Sequence, residues 1–63
     1  MYRYSLLYPR RESVWESGFE SYDDAYDAMS ETMAEMIDSI ADECPYLSDE
    51  EIEGRIDWDV REE

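Results

Sequence analysis

Residues 22–43, YDDAYDAMSETMAEMIDSIADE, are the longest uninterrupted periodic stretch in the chain and constrain most strongly what it can fold into. At about 100° per residue, Tyr22, Tyr26, Met29, Met33, Met36, Ile37, Ile40 and Cys44 fall on one stripe. Asp24, Asp27, Glu31, Glu35, Asp38 and Asp42 fall almost opposite. Ser21 is a good N-cap, with Asp24 at the third helical position, and Pro45 stops the helix from running far past Glu43. The spacing predicts one long amphipathic helix from Ser21 to about Glu43, whose apolar stripe needs a surface to cover.

The flanking segments supply that surface. Tyr2–Tyr8 alternates as a strand, with Tyr2, Tyr4, Leu6 and Tyr8 on one face and Arg3, Ser5 and Leu7 on the other. Pro9 ends it, and Pro9–Glu12 reads as a hairpin connection. A weaker strand is expected over Ser13–Phe19, placing Trp15, Ser17 and Phe19 on one side, with Gly18 marking a bulge or an early turn. Ser48–Glu51, SDEE, is a capping-box pattern followed by Ile52, and Gly54 reads as a stop, so a short turn is expected at Asp49–Glu53. Arg55–Arg61 alternates again, with Ile56, Trp58 and Val60 facing one way.

The order β-β-α-short α-β predicts an α+β fold: a three-stranded antiparallel sheet with the long helix packed on one face. Pairing the last strand with the first makes the first strand central and every neighbour antiparallel. The expected core is Tyr4, Leu6, Trp15, Met29, Met33, Ile37, Ile40, Ile56, Trp58 and Val60. A chain of 63 residues is expected to be one compact domain, residues 1–63, near the lower size limit for folding alone. Its 43% hydrophobic and 14% aromatic content sets it apart from a disordered acidic tail.

Charge is the compositional outlier: 19 acids against 5 basic residues, for a formal net charge of −14. No acid precedes Glu12, while Arg3, Arg10 and Arg11 do; from Glu12 to Gly54 there is no basic residue at all. Asp27/Glu31, Glu31/Glu35 and Asp38/Asp42 are like-charge pairs four residues apart, each costing about 0.2–0.5 kcal/mol where a Lys would gain as much. Asp42 and Glu43 lie at the helix C-terminus, where the macrodipole disfavours each anion by about 0.3–1 kcal/mol. The arrangement sums to about 2–3 kcal/mol, a large share of a small domain's stability. The pattern therefore points to a purpose other than folding. A surface of this kind repels nucleic acid and anionic membranes and attracts basic surfaces.

The six carboxylates from Asp24 to Asp42 span about 27 Å, one per roughly 5 Å, against one phosphate per about 3.4 Å along a DNA strand. Acids from the 49–53 turn, Asp57, Asp59 and the Glu62–Glu63 end would thicken the row into an array. A small acidic chain with aromatic strands and a carboxylate-rich helix resembles the phage-encoded DNA-mimic inhibitors, anti-CRISPR proteins among them. The resemblance rests on the row Asp24, Asp27, Glu31, Glu35, Asp38, Asp42 and the cluster Asp49, Glu50, Glu51, Glu53, and involves no diagnostic motif. It implies stoichiometric blockade of a host defence complex, such as a CRISPR effector, through its basic nucleic-acid-binding groove, with no turnover.

Two other readings fit the charge: a small acidic adaptor or regulatory module docking on a basic protein surface, and a halophile's housekeeping domain, whose acids would spread evenly. One Cys and no His leave no disulfide framework, no zinc-ligand set and no Cys/His or Ser/His pair, so the chain is expected not to be an enzyme and to use no cofactor. Asp57 and Asp59 in DWD share a strand face, but Arg55 and Arg61 flank them, and cross-strand ion pairing is expected in preference to a metal site. Arg3, Arg10 and Arg11 are expected to neutralise nearby carboxylates or to frame the hairpin. Leu7 with Val14 hints at an apolar patch suited to a weak homodimer or a partner contact. No signal-peptide-like or membrane-spanning run is present, which makes the cytoplasm, the host's if phage-encoded, the expected location.

Overall fold

A computed structural model describes every residue from Met1 to Glu63. The elements are β1 (Tyr2–Leu7), β2 (Val14–Phe19), α1 (Tyr22–Glu43), α2 (Asp49–Arg55) and β3 (Asp57–Glu62). The fold is α+β: one three-stranded sheet in the order β2-β1-β3, with both neighbours of β1 antiparallel to it. The long helix lies across one face of the sheet, and α2 packs beside it. No helix is long and apolar enough to cross a membrane.

The caps account for the helix limits. The Ser21 hydroxyl accepts a hydrogen bond from the Asp24 amide at 3.2 Å, and the helix ends as Cys44 leaves helical conformation ahead of Pro45. The Ser48 hydroxyl accepts from the Glu51 amide at 3.2 Å, the first half of the box that SDEE implies; the Glu51 carboxylate returns to the Ser48 hydroxyl, at 3.3 Å, instead of to its backbone amide. Gly54 does not stop α2, contrary to the expected turn at Asp49–Glu53. The helix continues to Arg55, because Ile52 and Ile56, four residues apart, are both buried and hold one side of the turn to the core. The last strand accordingly starts at Asp57, and Arg55 belongs to α2 rather than to that strand.

The core consists of Tyr4, Leu6 and Tyr8 from the sheet side, Met29, Met33 and Ile40 from α1, and Ile52 and Ile56 from the α2 segment. The Tyr4 hydroxyl is satisfied within it, sharing a hydrogen bond with the Thr32 hydroxyl at 3.0 Å and donating to Glu16 at 3.3 Å. This one buried phenol ties α1 to both β1 and β2.

Two tryptophans expected in the core lie outside it. Trp15 is 62% exposed and Trp58 is 47% exposed. The cause at Trp15 is the bulge at Gly18. Tyr2 pairs with Phe19 but Arg3 pairs with Ser17, so Gly18, at φ 89°, is an extra residue in β2. The bulge reverses the inward–outward alternation between Trp15 and Phe19: Phe19 packs on Tyr4 with ring centroids 5.8 Å apart, while Trp15 pairs with Ser5 on the open face. Trp58 does face α1, opposite Leu6, but it sits at the sheet edge. There it meets Tyr26 edge-on at 5.7 Å, and Tyr26 in turn stacks on Tyr22 at 6.3 Å. Ile37 and Val60 are partly buried against the core. Leu7 and Val14 do not share a face, since Val14 pairs with Leu6 on the helix side and Leu7 projects from the open side, so no Leu7/Val14 patch forms.

Candidate functional site: the acidic face of the long helix

The outer side of α1 follows from the packing of its inner side. Ala25, Met29, Met33 and Ile40 are buried, and Ala28, Thr32, Met36 and Ile37 are partly buried beside them. Because the helix advances about 100° per residue, fixing those residues inward sends Asp24, Asp27, Glu31, Glu35, Asp38 and Asp42 outward, all within a sector of roughly 80°. All six are exposed. The molecule measures 38 × 19 × 15 Å, so this row runs along most of its long dimension.

Nothing in the chain neutralises the row. The molecule has two ion pairs, Arg11–Glu43 and Arg61–Asp59, and neither involves any of the six. No basic residue occupies the last turn of α1. Glu43 therefore departs from the expected pattern: Arg11 offsets its unfavourable position at the helix C-terminus, and Asp42 alone keeps it.

The second acidic cluster is split. Asp49, Glu50, Glu51 and Glu53 are all exposed on α2. Glu53 shares a cleft of about 260 Å³ with Ser30, Ala34 and Ile37, the flank of α1 adjoining Glu31 and Asp38. The fold thus brings Glu53 to the edge of the α1 row. Asp49, Glu50 and Glu51 lie at the other end of α2, with Glu51 engaged by Ser48 in the cap. Asp57 and Asp59 do not thicken the row, because they pair with Leu7 and Ser5 on the open face of the sheet, away from α1.

The DWD pair does not form a cross-strand ion pair either. Asp59 bonds Arg61 along its own strand, while Arg61 faces Arg3 across the sheet. No group of three or more Cys, Asp or Glu side chains is placed to hold a metal ion. At the C-terminal edge, the Glu62 carboxylate, by hydrogen bonding and then by its charge, pushes the Tyr2 phenol above its ordinary pKa of 10.0.

The arginines also regroup. Arg3 lies over the Trp15 ring on the open face, 6.0 Å from its centroid, and so leaves the expected Arg3/Arg10/Arg11 cluster. Arg10 and Arg11 are joined instead by Arg55 at the end where α1 finishes. Arg55 is far from both in the sequence, 44 positions past Arg11, and only the packing of α2 on α1 brings them together.

Comparison with protein-family models, with curated proteins and with solved structures finds no match.

Proposed function

We propose that the protein is a stoichiometric decoy for nucleic-acid phosphates, which occupies the basic groove of a nucleic-acid-binding protein or complex and involves no turnover. The observation that carries this reading is the uncompensated row of six exposed carboxylates on α1, from Asp24 to Asp42, with no ion-pair partner in the chain. Like-charge neighbours four residues apart lower helix stability, so folding alone does not favour the row. A groove lined with Lys and Arg supplies the missing partners, and Glu53 widens the contact at one edge. Asp49, Glu50 and Glu51 extend the negative field from α2 and steer the approach.

A CRISPR effector carried by the host of a phage is the first target to test, because its groove must hold a long nucleic-acid duplex. The wild-type chain is expected to displace duplex DNA from such a complex in a gel-shift competition, with an affinity that falls as salt is raised. The double variant Glu31→Lys/Asp38→Lys reduces the row from six negative charges to a net of two and should weaken competition by about tenfold or more. Undiminished competition by that variant would exclude the row from the interface. A complex that forms while DNA stays bound would assign the protein an adaptor role instead.

A further inference from the structure

Three of the five arginines, Arg10, Arg11 and Arg55, collect around one open cavity of about 620 Å³. Arg10 and Arg11 reach it from the β1–β2 connection, Glu43, Cys44 and Tyr46 from the end of α1, and Arg55 from the end of α2. In a chain with 5 basic residues and a net charge of −14, this gathering is the opposite of the general trend.

Two of the three arginines have local roles. Arg11 pairs with Glu43, and Arg55 ends α2, where a cation suits the helix dipole. Arg10 has neither. It makes no ion pair, and its backbone stands at φ 68°. The Arg11 amide donates to the Tyr8 carbonyl at 3.1 Å, so Tyr8–Arg11 is a turn with Pro9 first and Arg10 second of its two central residues. That is the type II position, which glycine or asparagine fills freely and a long side chain fills only under strain. The chain thus keeps a charged residue, and one that lines the cavity, at a backbone position where glycine would be easier and would carry no charge.

We propose that this cavity binds the phosphate group of a small phosphorylated molecule, with Arg10 and Arg55 as its guanidinium ligands. Arg11 and Glu43 neutralise each other, which leaves a local charge of two from Arg10 and Arg55. That matches a phosphate monoester dianion, whereas a single carboxylate would leave one guanidinium unmatched. The cavity volume falls within the range of about 300–1,000 Å³ typical of small-molecule sites. Tyr46 stands at its rim, 79% exposed, and offers a flat surface to whatever the phosphate carries. Cys44, by hydrogen bonding and then by the charge of its thiolate, raises the Tyr46 phenol above its ordinary pKa, and the Arg55 charge opposes this. The site is at the hairpin end of the molecule and is independent of the decoy reading.

The test is an NMR titration of the full chain with inorganic phosphate, with AMP and with adenosine. Phosphate and AMP should move the Arg10 and Arg55 side-chain Nε–H signals and the Tyr46 amide saturably, and adenosine should not. Tighter binding of AMP than of phosphate would place its ring against Tyr46; equal binding would make the phosphate group alone the ligand. Arg10→Gly suits the turn, so it should keep the fold, checked by circular dichroism, yet weaken binding about tenfold or more, and Arg55→Ala should act in the same direction. An absence of saturable shifts at millimolar phosphate or AMP would overturn the proposal. So would an equal response to adenosine, or unchanged affinity in a folded Arg10→Gly.

Discussion

The two sides of α1 are built under opposite constraints. The inner side, Ala25, Met29, Met33 and Ile40, is buried, the last three in one cluster with Tyr4 and Leu6, so any substitution there changes a close-packed core. The outer side, Asp24 to Asp42, touches nothing else in the chain that could compensate its charge. Packing dictates the first pattern and leaves the second free. A free surface ordinarily mixes both signs, because opposite charges four residues apart support the helix. The outer side does the reverse, and the contrast separates what the fold requires from what it does not.

The largest expected effect lies on the inner side. Ile40→Ala empties a fully enclosed site and should destabilise the domain by about 2–5 kcal/mol, enough to unfold much of a chain this small at room temperature. Urea denaturation followed by circular dichroism measures it; a loss below about 1 kcal/mol would mean that the inner side is far looser than its burial indicates.

Ser21→Ala comes next. It removes the acceptor for the Asp24 amide and should cost about 1 kcal/mol, read from the same denaturation curves. Asp42→Lys should act with the opposite sign. It turns the Asp38/Asp42 repulsion into an attraction and places a cation at the helix C-terminus, for a gain of about 1 kcal/mol. Substitution on the inner side therefore costs stability, and substitution on the outer side raises it.

The smallest effect is at the sheet edge. The Tyr2 phenol is raised above 10.0 by Glu62, so its protonated form is favoured in the folded state. The resulting stability is fully present below pH 10 and is lost as pH climbs through the higher folded value. Comparing wild type with Tyr2→Phe between pH 8 and 11 should show a difference that shrinks at the alkaline end. A difference independent of pH would remove Glu62 as its source.

Much of the architecture was legible because its signals are local. The helix limits follow from Ser21 and Pro45, the Ser48 cap of α2 from SDEE, and the strand order from the preference for antiparallel neighbours. The failures share a different cause. Trp15 faces outward because Gly18 inserts one residue and reverses the alternation; a glycine within a strand signals a bulge but not which neighbouring side chain changes face. Gly54 failed as a stop because burial of Ile52 and Ile56 outweighs local helix propensity. The acidic row was visible at once, since helical spacing alone aligns it. Arg55 beside Arg10 and Arg11 was not, because that meeting depends on tertiary packing between elements distant in the sequence.

The central claim is that the outer face of α1 burdens the fold and is kept for something else. The most direct measurement is the stability of Glu31→Lys/Asp38→Lys against wild type, by urea denaturation at low and at molar salt. Two substitutions convert all three like-charge pairs, Asp27/Glu31, Glu31/Glu35 and Asp38/Asp42, into attractive ones. The variant should be more stable by about 1–3 kcal/mol at low salt. The advantage should shrink in molar salt, where the screening length falls to about 3 Å. A variant no more stable than wild type at low salt would contradict the claim, because the row would then be a surface the fold itself tolerates without cost.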